Sequence, residues 1–174
     1  MRSFDELESL WQAGPAPLRS PGTLRLIVVR KPGGAGHETP PQARLDLAVG
    51  LEGDRWPLGP TVDPDAQITL MNVRVAELIG AGVQPLHMAG DNLLVDLDLG
   101  TEVLPAGTRL RVGGAVVEVT AKPHTGCKKF AERFGQDALR WVNWQPFRAR
   151  RLRGVNCRIV EPGRVALGDP VAVA

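Results

Sequence analysis

The sequence has no apolar run long enough to cross a membrane. Arg, Asp, Gly or Pro interrupts every hydrophobic stretch well before the roughly 18 residues that a membrane-spanning helix requires. The first residues, Met1 to Glu8, are polar and acidic, so they lack the apolar segment of a secretory signal. These absences predict a soluble protein of the cytoplasm with no membrane partner.

Cysteine is scarce, because the 174 residues include only Cys127 and Cys157. Two cysteines are too few for a disulfide framework, and cytoplasmic thiols stay reduced. A structural zinc site is also disfavoured, because it needs four ligands and the three histidines do not occur at the short paired spacings of such sites. We therefore expect two free thiols in a chain stabilised by an ordinary hydrophobic core.

Aromatic residues make up only 5% of the chain, and no nucleic-acid-binding motif is recognisable. Charge is distributed unevenly, because residues 1–100 carry 8 Lys and Arg against 13 Asp and Glu, whereas residues 101–174 carry 13 against 6. The basic excess between Lys122 and Arg164 either favours an anionic ligand or forms a merely solvated face. Nucleic acid is thus a disfavoured alternative partner.

Glycine and proline turns divide the chain into eight or nine short predicted strands, with few helices and no regular alternation of strand and helix. This pattern predicts a mainly β fold, a barrel or sandwich with a few short helices at its rim. Gly113-Gly114 predicts a two-residue hairpin. Helical spacing in residues 4–12, followed by a Pro- and Gly-containing stretch at 14–22, divides the chain into an N-terminal helical appendage (1–22) and one domain (23–174).

The segment from Lys122 to Phe134 carries the most informative pattern, because it passes from a predicted strand through a tight turn into an amphipathic helix. With Thr125 as the predicted cap, Cys127 falls in the first helical turn. Unpaired N–H groups, the helix dipole and the neighbouring Lys128 and Lys129 would favour a thiolate there. Cys127 is therefore the candidate nucleophile or soft metal ligand, and the alternative is a small buried filler residue.

Two further residues, His124 and Cys157, have chemistry relevant to this segment. His124, three residues before Cys127, is a candidate catalytic residue that could orient or protonate a ligand near the thiol, or could only cap the turn. Cys157 shares one face of a predicted strand with Val155 and Ile159, so we expect it in the core.

Two glycine-containing loops, Gly50–Trp56 and Met88–Leu93, border predicted strands. Glycine lets the backbone approach a ligand closely, and Arg55 and Asn92 can bind carbonyl or phosphate oxygens. Asp54 lies in the first loop. Each loop is a weak signal by itself, because Gly-Asp turns are common in β proteins.

In their order along the chain, these motifs resemble the MOSC domain, the family named for the C-terminal domain of molybdenum cofactor sulfurase. The resemblance runs from about residue 23 to residue 173. The matching segments are Gly53–Arg55, Gln67–Asn72, Gly90–Leu93, Pro105–Gly113, the cysteine that follows Val119-Thr120, and Arg153–Asp169.

The resemblance implies a mostly β domain that binds molybdenum cofactor (molybdopterin), with Cys127 in the place of the motif cysteine that coordinates molybdenum or carries sulfur. The predicted cofactor-binding residues are Asp54, Arg55, Asn92, Lys128 and Arg153. Of the basic residues before the last long strand, Arg153 is expected to contact the cofactor's phosphate, whereas Arg148 is expected to contribute much less.

Two positions depart from the family pattern. Trp56 stands where the family often has His, which removes a candidate imidazole from the pocket, and Asp91 stands where it often has Glu, which shortens the reach of the carboxylate. The chain also lacks a sulfur-mobilising domain, the extra N-terminal domain of amidoxime-reducing members, and a ferredoxin-type cysteine set. We therefore expect a separate protein to donate cofactor or sulfur, or an external reductase to donate electrons.

Four functional hypotheses follow. The leading one is a module that holds or transfers sulfurated molybdenum cofactor through Cys127, and the second is a molybdenum-dependent reductase of N-hydroxylated compounds. A nucleic-acid-binding module and a cysteine hydrolase using His124 are the remaining alternatives. Whether the protein is an enzyme, either a sulfur transferase or an oxidoreductase, stays open at this level.

Overall fold

The computed structural model describes all 174 residues, which form twelve strands and four α-helices. The strands are β1 (Gly22–Ile27), β2 (Val29–Arg30), β3 (His37–Glu38), β4 (Gln42–Asp46), β5 (Gly50–Leu51), β6 (Ile68–Asn72), β7 (Leu93–Asp96), β8 (Arg109–Val112), β9 (Ala115–Val119), β10 (Val155–Glu161), β11 (Gly163–Ala166) and β12 (Pro170–Val173). The helices are α1 (Phe4–Ala13), α2 (Val73–Gly80), α3 (Lys128–Phe134) and α4 (Gln136–Asn143). None of these helices has the length and apolar character that crossing a membrane requires.

Seven strands close a barrel in the order β1-β12-β8-β9-β10-β6-β7, and β7 pairs back onto β1. Every neighbouring pair is antiparallel except β6 and β7, which run parallel because α2 connects them. A small sheet of β11, β4 and β5 and a ribbon of β2 and β3 complete the fold. The predicted mainly β barrel with a few short helices is confirmed.

Local sequence signals account for several of these elements. The Gly113-Gly114 hairpin is confirmed, because Val112 of β8 pairs with Ala115 of β9 and Gly113 has a φ of 53°. Asn72 caps α2, since its side chain accepts a hydrogen bond from the Arg74 backbone N–H at 2.9 Å. The strand number exceeds the predicted eight or nine, because β2, β3 and β5 have two residues each and are too short to show a period.

The barrel interior forms one apolar cluster of 22 buried residues. Val155, Cys157 and Ile159 of β10 all belong to it, as their alternation predicts. Cys157 is completely buried, and burial raises the pKa of its thiol to about 12. The prediction that Cys157 is a core residue is confirmed.

A second apolar cluster, of 14 buried residues, lies between the outside of β6 and β7 and the helices. The N-terminal helix α1 contributes Leu7, which is completely buried. Glu8 of the same helix accepts a hydrogen bond from the Trp141 indole at 2.9 Å and forms an ion pair with Arg150 at 2.8 Å. The division between residues 1–22 and 23–174 stays a prediction, but α1 shares a core with the helices beside the barrel.

We expect Leu7→Ala to lower the free energy of unfolding by about 2–5 kcal/mol, the usual cost of removing a fully buried leucine side chain. Urea denaturation measures this difference. Leu10→Ala on the same helix is the matched control, because Leu10 is 41% exposed, and we expect a change within about 0.5 kcal/mol. Equal effects of the two substitutions would mean that α1 does not contribute to the core.

Candidate functional site

A buried carboxylate, Asp91, lies at the centre of a polar site at one end of the barrel. It comes two residues before Leu93 of β7, and Arg153 comes two residues before Val155 of β10. Leu93 and Val155 both pair with Leu70 of β6, which lies between their two strands. The sheet therefore brings Asp91 and Arg153 onto neighbouring positions.

Both carboxylate oxygens of Asp91 are occupied. Arg153 Nη1 donates to one oxygen at 2.5 Å, and His124 Nε2 lies 2.7 Å from the other. The Arg153 guanidinium also lies over the Phe130 ring of α3, 5.1 Å from its centroid, and Nη2 donates to the Ala89 carbonyl at 3.4 Å. The Arg153 Nε atom is buried and has no hydrogen-bond partner in the chain.

The charges in this triad of Asp91, His124 and Arg153 are set by burial and by neighbouring groups. Burial alone would raise the pKa of Asp91, but Arg153 and His124 lower it to about 2, so the carboxylate is ionised at neutral pH. Burial, assisted by the charge of Arg153, lowers the pKa of His124. A neutral His124 donates its Nε2 hydrogen to Asp91 and keeps Nδ1 as an acceptor, which has no partner in the chain.

A cleft of about 270 Å³ opens beside the triad. Its basic lining residues are Lys122, His124, Arg148, Arg151 and Arg153. Lys122 is paired with Asp63, and Arg151 donates to the Leu104 carbonyl at 2.5 Å. Arg148 is exposed and its guanidinium makes no hydrogen bond or ion pair within the chain, so it is the cation most available to an anionic ligand.

A larger cleft, of about 370 Å³, lies between α1 and the barrel, but neither a cysteine nor a histidine lines it. It shares Arg151 with the basic cleft. We therefore place the candidate site in the smaller cleft, which His124 and Arg153 of the triad line.

Cys127 is not among the residues that line the basic cleft, but it follows the lining residue Thr125 by two positions along the chain. Helix α3 begins at Lys128, so Cys127 is the N-cap residue with extended backbone (φ −123°, ψ −178°). The prediction that Thr125 caps the helix and that Cys127 falls in its first turn is wrong, because the cap lies two positions later, at Cys127 itself. Thr125 makes no capping bond, because the following peptide of Gly126 is held by the Asn143 side chain instead of turning into the helix. Cys127 is exposed, which excludes the buried-filler alternative.

The two polar loops that the sequence singles out are tied to each other. Asp54 is buried and receives hydrogen bonds from Arg30 at 2.8 and 2.9 Å and from Asn92 at 3.0 Å. Asn92 is completely buried, and its side-chain oxygen Oδ1 accepts a hydrogen bond from the Thr69 backbone N–H at 3.1 Å. Both side chains are used within the protein, so they shape the loops and do not line the basic cleft.

The other two predicted cofactor-binding residues also lie outside the cleft lining. Arg55 and Lys128 are exposed, and neither side chain makes a hydrogen bond or ion pair in the chain. Of the predicted site residues, the structure brings His124 and Arg153 together on the Asp91 carboxylate and in the cleft lining, whereas Cys127 follows His124 by three residues along the chain and does not line the cleft. The roles assigned to these residues stay predictions.

Sequence reasoning assigned no role to four residues that shape the site, namely Arg30, Asp91, Asn143 and Arg151. Asp91 is adjacent to Asn92 in a loop already singled out, so its carboxylate had a local signal. Asn143 had none, because its partner Gly126 is 17 residues away along the chain. The backbone of Arg151 is in the left-handed conformation (φ 47°), which the neighbouring sequence does not predict for an arginine.

We expect the stability advantage of the parent protein over His124→Gln to shrink as the pH falls from about 7.5 to about 5. Because the pKa of His124 is lowered in the folded state, the unfolded chain binds a proton more readily in this range, and acid destabilises the parent. Denaturation curves of both proteins across this range measure the gap. Burial also lowers the pKa of His37, so each protein's stability changes with pH for that reason too. The contribution of His124 is therefore read from the difference in stability between the two proteins. A constant gap would contradict the assignment of a neutral His124.

Comparison with known proteins adds a family and a set of similar folds. The family model described as MOSC domain matches residues 62–172. The YuaD protein from Bacillus subtilis is 18% identical, with a TM-score of 0.61 and alignment over 87% of this chain and 94% of that one. YiiM from Geobacillus stearothermophilus is 17% identical, with a TM-score of 0.61 over 88% and 75% of the two chains. YiiM from Escherichia coli is 20% identical, with a TM-score of 0.55 over 87% and 70%.

No curated protein matches the sequence. At these identities the solved structures show a shared fold and nothing about ligand or reaction. The family match covers the segment that contains β6, β7, the triad, Cys127 and the basic cleft.

Proposed function

This chain belongs to the MOSC domain family, and on that premise we propose that it binds molybdenum cofactor and holds or transfers its sulfurated form through Cys127. The observation that carries the proposal is an exposed thiol that follows Thr125, a lining residue of the cation-rich cleft, by two positions along the chain. Molybdenum accepts a soft thiolate ligand, and the cofactor's phosphate needs positively charged donors. When bound, the cofactor supplies the redox and sulfur chemistry of molybdenum.

The residues present fit this group. No set of three or more His, Cys, Asp or Glu side chains is arranged to hold a metal ion by itself, so the protein would contribute one thiolate to a metal that arrives with its own organic ligand. The buried Arg153 Nε without an acceptor and the unpaired Arg148 are the donors that a phosphate or pterin oxygen would satisfy.

The phosphate contact is better assigned to Arg148 and Arg151 than to Arg153 alone. The Arg153 guanidinium already neutralises the buried Asp91, and removing it would leave an uncompensated charge in the interior. An Arg153→Ala variant would therefore lose folding stability together with any ligand contact. Arg148 offers a cleaner test, because it is exposed and unpaired.

The proposal assigns a separate role to each of four residues of this chain. Cys127 would bind the metal or carry sulfur, Arg148 and Arg151 would hold the phosphate, and His124 Nδ1 would accept or return a proton at the edge of the cleft. The hydrogen bond from His124 Nε2 to Asp91 fixes the tautomer that leaves Nδ1 available.

The available His124 Nδ1 also favours the second candidate function, a reductase of N-hydroxylated compounds. Breaking the N–O bond of such a compound takes up two electrons and two protons and releases water and an amine. The electrons would come from a separate reductase, since this chain has no ferredoxin-type cysteine set. Turnover of a hydroxylamine by the loaded protein with an artificial electron donor would favour this function over storage or transfer.

We expect Cys127→Ser to lose bound molybdenum while remaining folded, because the thiol is exposed and lies outside both apolar clusters. Metal analysis of protein expressed in a cofactor-producing host measures the molybdenum content. Cys157→Ala is the matched control, for which we expect parental molybdenum and a stability loss of about 1 kcal/mol from a small core truncation. Equal molybdenum in Cys127→Ser and the parent would overturn the proposed ligand.

We expect Arg148→Ala to weaken cofactor binding about tenfold or more, since a hydrogen bond to a charged group contributes about 1.5–3 kcal/mol. Retention of pterin fluorescence during gel filtration reports the change. The control is Arg158→Ala, because Arg158 is paired with Glu118 and Asp65 outside the cleft. If Arg148→Ala left cofactor retention unchanged and instead weakened salt-sensitive DNA binding, the nucleic-acid alternative would be favoured.

A further inference from the structure

We propose that Asn143 is the positioning residue for the Cys127 thiol. It lies at the end of α4, and its side-chain amide binds both backbone groups of Gly126, the residue immediately before Cys127. The inference deepens the proposed function and rests on it wherever molybdenum is concerned, but the positioning itself concerns only groups of this chain.

The two hydrogen bonds are complementary. The Gly126 N–H donates to Asn143 Oδ1 at 2.8 Å, and Asn143 Nδ2 donates to the Gly126 carbonyl at 3.1 Å. That carbonyl belongs to the peptide that ends at the Cys127 nitrogen. One amide side chain therefore fixes the peptide planes on both sides of Gly126, and with them the direction in which the chain enters Cys127.

Close packing adds to this restraint. A Cβ placed on Gly126 would lie 2.7 Å from Leu139 Cδ1 and 3.4 Å from Val142 Cγ2, so the turn is pressed directly against α4. The helix is itself well anchored, because Trp141 is completely buried and Ala138 is 1% exposed. Asn143 thus transmits the position of a rigid helix to an irregular turn.

The turn before Cys127 is held by side chains at three successive points. Asn156 of β10 donates to the carbonyls of Lys122 and Pro123 at 3.2 and 3.1 Å, and His124 is bound to Asp91. Asn143 is the last of these restraints before the thiol. Helix α3 supplies no equivalent restraint on Cys127. It has only seven residues, and Cys127, its N-cap residue, makes no side-chain hydrogen bond to it.

The test compares three substitutions. Asn143→Ala removes both hydrogen bonds, whereas Asn143→Asp keeps an acceptor for the Gly126 N–H and loses the donor. Gln136→Ala is the matched control, because Gln136 lies at the other end of α4, is exposed, lines neither cleft and makes no side-chain hydrogen bond in the chain. Circular dichroism confirms that each variant is folded, and Asn143→Asp keeps the test informative if Asn143→Ala folds poorly.

Hydrogen exchange and molybdenum content are the two readouts. We expect exchange of the Gly126 amide to be about tenfold faster in Asn143→Ala and close to parental in Asn143→Asp and Gln136→Ala, as the loss of one hydrogen bond implies. Molybdenum content should fall severalfold in Asn143→Ala, should be intermediate in Asn143→Asp, and should be parental in the control. Faster exchange with parental molybdenum in Asn143→Ala would overturn the proposal, because the two hydrogen bonds to Gly126 would then have no effect on the Cys127 thiol.

A third readout separates this inference from the proposed function. If Cys127→Ser retains molybdenum, the proposed function fails, and the positioning is judged by the rate at which iodoacetamide alkylates Cys127 in protein without cofactor. Cys157 is completely buried and does not interfere. A changed rate in Asn143→Ala relative to Gln136→Ala would support the positioning role, and identical rates would overturn it.

Discussion

The burial of the Asp91 carboxylate is the constraint on which the site depends. An ionised group without exposed surface is tolerated only when other groups neutralise and hydrogen-bond it, and here Arg153 and His124 engage both oxygens. These three residues come from the segments before β7, after β9 and before β10, so one ionic cluster joins three loops at one end of the barrel. The same cluster fixes the His124 tautomer and commits Arg153 to a role inside the protein.

The turn that leads to Cys127 shows how an exposed residue can still have a defined position. It has no regular secondary structure, so its backbone N–H and C=O groups need partners from elsewhere. Asn156 and Asn143 supply those partners at Pro123 and Gly126. Both amides lie on regular elements, a barrel strand and a helix, and therefore pass the rigidity of the fold to the turn. The Cys127 thiol can then be exposed and still have a defined position.

The sequence predicts the features that depend on local pattern and misses those that depend on contacts between distant segments. The barrel, the Gly113-Gly114 hairpin and the buried Cys157 follow from periodicity and turn chemistry. The Asn143 contact has no such signature, because its distance from Gly126 is set by how α4 packs. The placement of Arg148 has no such signature either, since residues 145–150 form a 3-10 helix.

Pairing of charges explains why the basic excess of residues 101–174 overstates the positive field of the protein. Within this segment, Arg150 is paired with Glu8, Arg153 with Asp91 and Lys122 with Asp63, and all three acids lie in residues 1–100. Binding along a nucleic-acid backbone draws its affinity from many free cations that displace counterions. In the basic cleft, by contrast, a few donors converge on a space of about 270 Å³. That arrangement suits one compact anionic group better than an extended polyanion.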